Sequence, residues 1–323
     1  MRLKLIPDDT KFDFFKASKI WLGISAFLIV LALVSVSIRG LNFGIDFRGG
    51  TTIRTESAQP VDIAGYRDAV AALDLGDVTI TEIFDPTFRP DQNVAMIRIQ
   101  AQDDTEAVSQ DLINAVEGAL QAAVPDIKFV SVESVGPKVS GELIKTAAIA
   151  VVLAIAAVLV YIWLRFEWQF AVGAVVALIH DVALTIGIFS EVGIRFDLAI
   201  IAALLTIVGY SLNDTVVVFD RVRENLRKYK QMPLKDVLNL SINETLSRTL
   251  MTSGTTLIAL IALLVLGGDV IRGFVFAMTW GVIVGTYSSI FVASALLLRL
   301  GVKRDWTKSG PKNTGNKFAD IDA

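Results

Sequence analysis

Ala147-Ala148-Ile149-Ala150-Val151-Val152-Leu153-Ala154-Ile155-Ala156-Ala157-Val158-Leu159-Val160 runs through nearly four helical turns without one polar side chain. A helix on the surface of a water-soluble domain keeps a polar face, and this stretch has none. With its flanks, residues 143–163, it reaches the roughly 20 residues needed to cross about 30 Å of hydrocarbon. Five further apolar blocks occupy residues 20–38, 168–189, 198–219, 250–266 and 274–300. The 323-residue chain is 53% hydrophobic, with a mean hydropathy of +0.58. These features predict a polytopic α-helical membrane protein with six transmembrane helices. Residues 20–41 read as a retained first span, because the apolar core is long and Arg39-Gly40-Leu41-Asn42 makes no small-x-small cleavage site.

Basic residues orient the spans. Arg2, Lys4, Lys11, Lys16 and Lys19 precede the first, and Arg221, Arg223, Arg227, Lys228, Lys230 and Lys235 lie between the fourth and fifth. Arg299, Lys303, Arg304 and Lys308 follow the last, whereas the alternate connections hold chiefly Arg195 and Arg272. The positive-inside rule puts both termini and a loop at 220–247 in the cytoplasm, and residues 42–138 outside it. The expected division is a cytoplasmic segment at 1–19 and a five-helix bundle at 139–300, with a cytoplasmic tail at 301–323. In the first segment, Phe12, Phe14 and Phe15 interleave with lysines, which suggests an interfacial helix. The tail from Ser309 has the composition of a disordered segment.

Residues 42–138 carry roughly nine more acids than bases, the balance of a solvated domain and no nucleic-acid binder. Strand-like runs at 51–55, 78–84, 93–100 and 128–135 alternate with helical spacing at 61–73 and, behind a Thr105 cap, at 105–119. Residues 85–90 read as a turn. The order βαββαβ predicts an inserted α+β ferredoxin-like extracytoplasmic domain. That fold specifies no chemistry. An edge strand there could pair with a peptide or a partner.

Ionisable side chains inside the apolar blocks mark the candidate sites. Asp214, with Asn213 beside it and Tyr210 one turn earlier, lies roughly 24 Å into the fourth span. It is either a proton-linked group or an acid at the inner boundary touching water. Arg248 sits at a similar depth in the fifth span, where it either pairs with an acid or snorkels to the surface. His180-Asp181 occupies the middle of the third span and either relays protons or completes a buried hydrogen-bond network. There are no cysteines. Metalloprotease, P-loop and nucleophile-elbow motifs are all missing, so an enzyme, a metal site and a cofactor are not expected.

Four segments carry a family resemblance. Asn42-Phe43-Gly44-Ile45-Asp46-Phe47-Arg48-Gly49-Gly50 follows the first span, and Val135-Gly136-Pro137-Lys138-Val139-Ser140-Gly141-Glu142-Leu143 leads into the second. Residues 209–225 form the fourth span and its exit, and 243–256 begin the fifth. Together they resemble the SecD/SecF family of protein-export membrane subunits, on its SecF side, which is related to resistance-nodulation-division transporters. Ser140 stands where the family usually has glycine. The resemblance implies a multi-pass protein of the bacterial inner membrane whose 42–138 domain is periplasmic. It implies partnership with SecD, the SecYEG channel, an accessory small membrane subunit such as YajC, and the exported unfolded polypeptide. It implies use of the proton gradient to promote export, with Asp214 and Arg248 in proton passage. Gly44, Asp46, Gly49, Gly50, Gly136 and Pro137 belong to the motifs that bracket the external domain, and the glycines can form sharp turns there. Two other readings remain open: a scaffold that stabilises the channel complex, and a subunit of a small-molecule efflux pump.

Overall fold

A computed structural model describes residues 10–73, 75–85, 88–89, 91–100 and 109–302. The Thr105 cap, the tail from Ser309 and part of the 85–90 turn lie outside these residues. Six of the described helices are long and apolar enough to cross a membrane. They are α1 (Ser18–Arg39), α5 (Pro137–Arg165), α6 (Trp168–Val192), α7 (Leu198–Lys228), α8 (Leu234–Leu266) and α9 (Asp269–Ser288), the last continuing through a π-helical turn at Ser289–Ala293 into α10 (Ser294–Leu300). Between α1 and α5 lie α2 (Ile45–Arg48), β1 (Gly50–Ser57), α3 (Ile63–Val70), a 3₁₀ turn (Ala71–Leu73), β2 (Val78–Ile83), β3 (Asn93–Gln100), α4 (Gln110–Ala123) and β4 (Lys128–Val135). The protein is a helical membrane protein with an inserted sheet domain.

The sheet is antiparallel with strand order β2-β3-β1-β4. Alternation along the strands decides its faces. Ile53 and its cross-strand partner Ile97 point to one side with Ile80 and Ile99, where they pack on Tyr66 and Val70 of α3 and Val116 and Leu120 of α4. Asp62 caps α3 through the Ala64 amide, and Ser109 caps α4 through Leu112. The opposite face, with Thr52, Arg54, Met96 and Arg98, is turned toward the helix bundle. Arg195 in the α6–α7 turn donates to the Met96 sulfur at 3.5 Å, and Asp269 at the start of α9 accepts from the Phe84 amide at 2.8 Å.

Within the bundle, α6, α7 and α9 form the buried centre, while α5 and α8 expose much of their apolar surface. One aromatic-rich core, including Phe166, Phe170 and Phe219, fills the end nearer the termini. A second, including Phe47, Phe189 and Phe196, fills the end nearer the sheet. Glycines permit close helix approaches: an added Cβ on Gly187 of α6 would meet Ala32 of α1, and one on Gly281 of α9 would meet Ile207 of α7.

Two sequence expectations are corrected. The segment at 220–247 is no loop: α7 and α8 continue through it and only residues 229–233 connect them. Its charges occupy the outer sides of amphipathic helix ends. Arg221 bridges Glu224 and Glu244, while Val222 and Leu226 pack on Val237 and Leu238. Nor do the described residues before Ser18 form an interfacial helix. They turn along α8, because Asn243 and Asn239 hold the Phe12 and Phe14 amides at 2.9 and 3.0 Å. Those side-chain bonds satisfy the backbone in place of a helical ladder.

Candidate functional site

The candidate site lies at the α6–α7–α8–α9 contact. Asp197 caps α7 by accepting from the Ile200 amide. From there the helix carries Ser211, Asp214, Thr215 and Val218 on one buried face, at the spacing of successive turns. Asp214 is 3% exposed. Its Oδ2 accepts from Ser253 of α8 at 3.5 Å. Ser253 also meets Thr286 of α9 at 2.7 Å, and Thr286 donates to the Val282 carbonyl at 2.7 Å. With its hydroxyl proton committed there, Thr286 is an acceptor for Ser253, which has one proton for two acceptors. Among the described residues Asp214 is therefore served by a single long, shared hydrogen bond.

Asp181 is fully buried, and one turn separates its partner Ser211 from Asp214 on α7. Its Oδ2 accepts from Ser211 at 2.6 Å and from Ser288 at 2.8 Å, and its Oδ1 meets His180 Nδ1 at 2.9 Å. A carboxylate partner places the imidazole proton on Nδ1, leaving Nε2 as an acceptor. Nε2 is buried and has no hydrogen-bond partner among the described residues. The His180 ring stacks on Tyr287, whose hydroxyl donates to the Trp21 carbonyl and meets Ser25, both on α1. Directly after Ser288 comes the π-helical turn, a distortion frequent at functional sites.

The structure thus joins His180 and Asp181 by a hydrogen bond and sets Asp214 one turn along α7 from Ser211, which serves Asp181. It does not gather the other three polar residues named from the sequence into this cluster. Arg248 is exposed on α8 and makes no ion pair with Asp214 among the described residues. Asn213 is exposed on the outer face of α7. Tyr210 turns instead to Thr256 at 3.4 Å. Ser211, Ser253, Thr286, Tyr287 and Ser288 were not singled out from the sequence. The usable signal was hydroxyl residues inside apolar spans, set one turn from an acid.

The motif glycines divide into two kinds. Gly49 and Gly50 have φ of 75° and 132°, conformations that favour glycine, and they turn the chain from α2 into β1. Gly44 donates to the Phe196 carbonyl at 2.8 Å, and an added Cβ would meet Asp197 at 3.3 Å. Asp46 accepts from the Leu198 amide at 3.0 Å, which pins this motif to the start of α7. Gly136, by contrast, has an extended φ of −73°. Here Pro137 opens α5, and Ser140 donates to the Ile45 carbonyl at 3.3 Å.

Residues 115–303 match the family described as protein export membrane protein SecD/SecF, C-terminal, and residues 34–61 match the SecD/SecF GG motif. A protein translocase subunit SecF of Cereibacter sphaeroides is 63% identical over 100% of this chain and 99% of its own length. Another, from Rhodobacter capsulatus, is 57% identical over 97% of this chain and 96% of its own. Among solved structures, SecDF from Thermus thermophilus, a translocon-associated membrane protein, superposes with a TM-score of 0.80 at 35% identity. The match covers 92% of this chain but only 39% of that one. SecDF in a super-membrane-facing form gives a TM-score of 0.67, again over 39% of its length.

Proposed function

The chain belongs to the SecD/SecF family of protein-export membrane proteins, and from that premise we propose that it is a proton-driven subunit of the export machinery, with Asp214 as its proton-binding group. The observation that carries this reading is the buried carboxylate on α7, which among the described residues has one long, shared hydrogen bond. A proton arriving there turns Asp214 from an acceptor into a donor toward Ser253. The single Ser253 proton is then free for Thr286, so the contact of α8 with α9 changes with the charge. One charge crossing 100 mV yields about 2.3 kcal/mol, enough to bias such a two-state contact. Ser211, one turn from Asp214 toward the sheet end, links it to Asp181 and His180, which extend the polar path. Arg248 is its mobile counter-charge at the end nearer the termini.

Exposed Asn213 and Arg248 would be costly against lipid, so a helical partner covers this face. The solved SecDF chain, much of which lies outside the match, makes SecD the partner we assign. In this arrangement both termini are cytoplasmic and the sheet domain is periplasmic. The Gly44–Asp46 contact with α7 and the Gly49-Gly50 turn pass helix motion to that domain, and the Gly136-Pro137 junction carries it back into α5. The machine acts beside the SecYEG channel on the emerging unfolded chain, with an accessory subunit such as YajC.

The test is export into inverted membrane vesicles with and without a proton gradient. Asp214→Asn keeps the volume and removes the titration, so it should abolish the gradient-dependent part while the complex still assembles. Arg248→Lys keeps the charge but loses the planar fork, and should reduce that part by about tenfold, or about 1.4 kcal/mol in the rate-limiting step. A full gradient response in the Asp214→Asn protein would refute the relay and leave a scaffold.

A further inference from the structure

A second polar site lies at the sheet end, away from the Asp214 cluster. A cleft of about 160 Å³ opens between residues 42–49 and the β2–β3 edge of the sheet, lined by Asn42, Arg48, Asp77, Thr79, Arg98 and Gln100. Thr79 and Arg98 are cross-strand partners and share one face. Among the described residues neither guanidinium has a carboxylate within ion-pair distance, and the Arg98 Nε is buried without any hydrogen-bond partner. Burial, then the neighbouring Arg195, holds Arg98 below the ordinary guanidinium range; Arg48 adds to this, while Asp197 and Asp46 oppose it. Two forked cations, a hydroxyl and two amides thus converge with one carboxylate, Asp77, exposed at the lip. A buried donor without an acceptor is costly. An anion entering the cleft removes that cost.

We propose that this cleft binds a phosphate group, either the headgroup of an anionic phospholipid or free phosphate. Arginine forks match phosphate oxygens two at a time, and the volume holds one tetrahedral anion with a few waters of roughly 30 Å³ each. The cleft's height suits a lipid source. Asn42 lies just past the end of α1 and donates to the Gly193 carbonyl at the end of α6 at 3.0 Å. That is the level at which two spans leave the hydrocarbon, where headgroups lie and basic pockets bind them. Bound there, a phosphate would tie the first span to the sheet by a contact that depends on the surrounding leaflet.

The full chain, purified in detergent and stripped of lipid, would be titrated with phosphatidylglycerol and with a phosphate-free digalactosyl lipid by native mass spectrometry, and with inorganic phosphate by calorimetry. The expected result is one retained phosphatidylglycerol and no retained glycolipid. Arg98→Gln and Arg48→Gln should each weaken retention at least tenfold. Arg39→Gln should leave it unchanged, since Arg39 stands at the same end of α1 but pairs with Glu191. Saturable inorganic phosphate binding that both Arg variants lose, with no lipid preference, identifies free phosphate as the source and upholds the site. Wild-type affinity in the exposed Arg48→Gln and in Arg98→Gln, equal retention of the glycolipid, or no phosphate-dependent binding by the intact chain overturns it.

Discussion

Ser211 on α7 donates to the Asp181 carboxylate on α6 at 2.6 Å, in the buried centre of the bundle. Ser288 on α9 donates to the same oxygen at 2.8 Å. Three helices therefore meet on one buried acceptor. Either serine can be lost and the oxygen still has a donor; with both gone it has none. Ser211→Ala and Ser288→Ala should each cost about 0.6 kcal/mol, typical of hydrogen bonds within membranes. The double variant should cost more than the sum of the two. Denaturant unfolding in detergent reads this directly, and simple additivity would contradict the shared-acceptor account.

Close glycine contacts should be equally measurable. A Cβ on Gly187 would land on Ala32 and lie 2.8 Å from its Cα, and a helix backbone cannot turn aside as a side chain can. Gly187→Ala should push α1 from α6 and cost about 1–3 kcal/mol. Gly254→Ala is the control, because nothing lies within 4 Å of its added carbon. That substitution should be neutral or slightly stabilising, since alanine is the better helix former. Equal melting temperatures for the two variants would count against the packing argument.

Asp197 carries a pH signature. Burial pushes its carboxyl above the ordinary value of 3.8, and nearby Asp46 adds to the rise, while Arg195 and the Ile200 amide only partly offset it. The charged form thus costs more folded than unfolded. Its penalty is complete above the folded pKa, declines as pH falls through that value, and is gone below about 3.8. Asn can serve the same capping role without charge. Asp197→Asn should therefore be more stable than the parent near neutral pH, with the advantage shrinking toward pH 4. An advantage that grew on acidification would reverse the sign of this account.

The strap formed by residues 10–17 hangs on few bonds. Asn243 accepts from the Phe12 amide and donates to the Phe12 carbonyl, both at 2.9 Å. Asn239 accepts from Phe14 and donates to Asp13. Removing the Asn243 pair should raise amide exchange at Phe12 by about tenfold, in line with net hydrogen-bond contributions of about 0.5–1.5 kcal/mol each. Phe14, held by Asn239, should change less. Uniform acceleration across the strap would mean that it detaches as a unit.

The polar residues show how far one-dimensional reading extends. His180-Asp181 was legible as a buried polar pair because adjacent polar residues on one helix in an apolar span are conspicuous before any folding. Asp214 was legible for the same reason. The depth of Arg248 left pairing with an acid and snorkelling both open, because equal depth along two helices says nothing of the angle each presents to the other. Ser253, Thr286 and Ser288 passed unnoticed, since a hydroxyl in a span can satisfy itself on its own helix, as Thr286 does on Val282.

From the sequence alone came the properties set by near neighbours in the chain. These are the six apolar blocks, the strand alternation and its βαββαβ order, and the acids inside the spans. Hydrocarbon thickness and side-chain periodicity act locally, so their imprint is local. Tertiary structure decided the rest. It extended α7 and α8 through the supposed loop, because Val222 and Leu226 find Val237 and Leu238 only once the helices are antiparallel. It laid the strap on α8, put three helices on one Asp181 oxygen, and gave Asp214 a long bond shared with Thr286. Each of these depends on which helix faces lie against one another, and the close approaches at Gly187 and Gly281 set those faces.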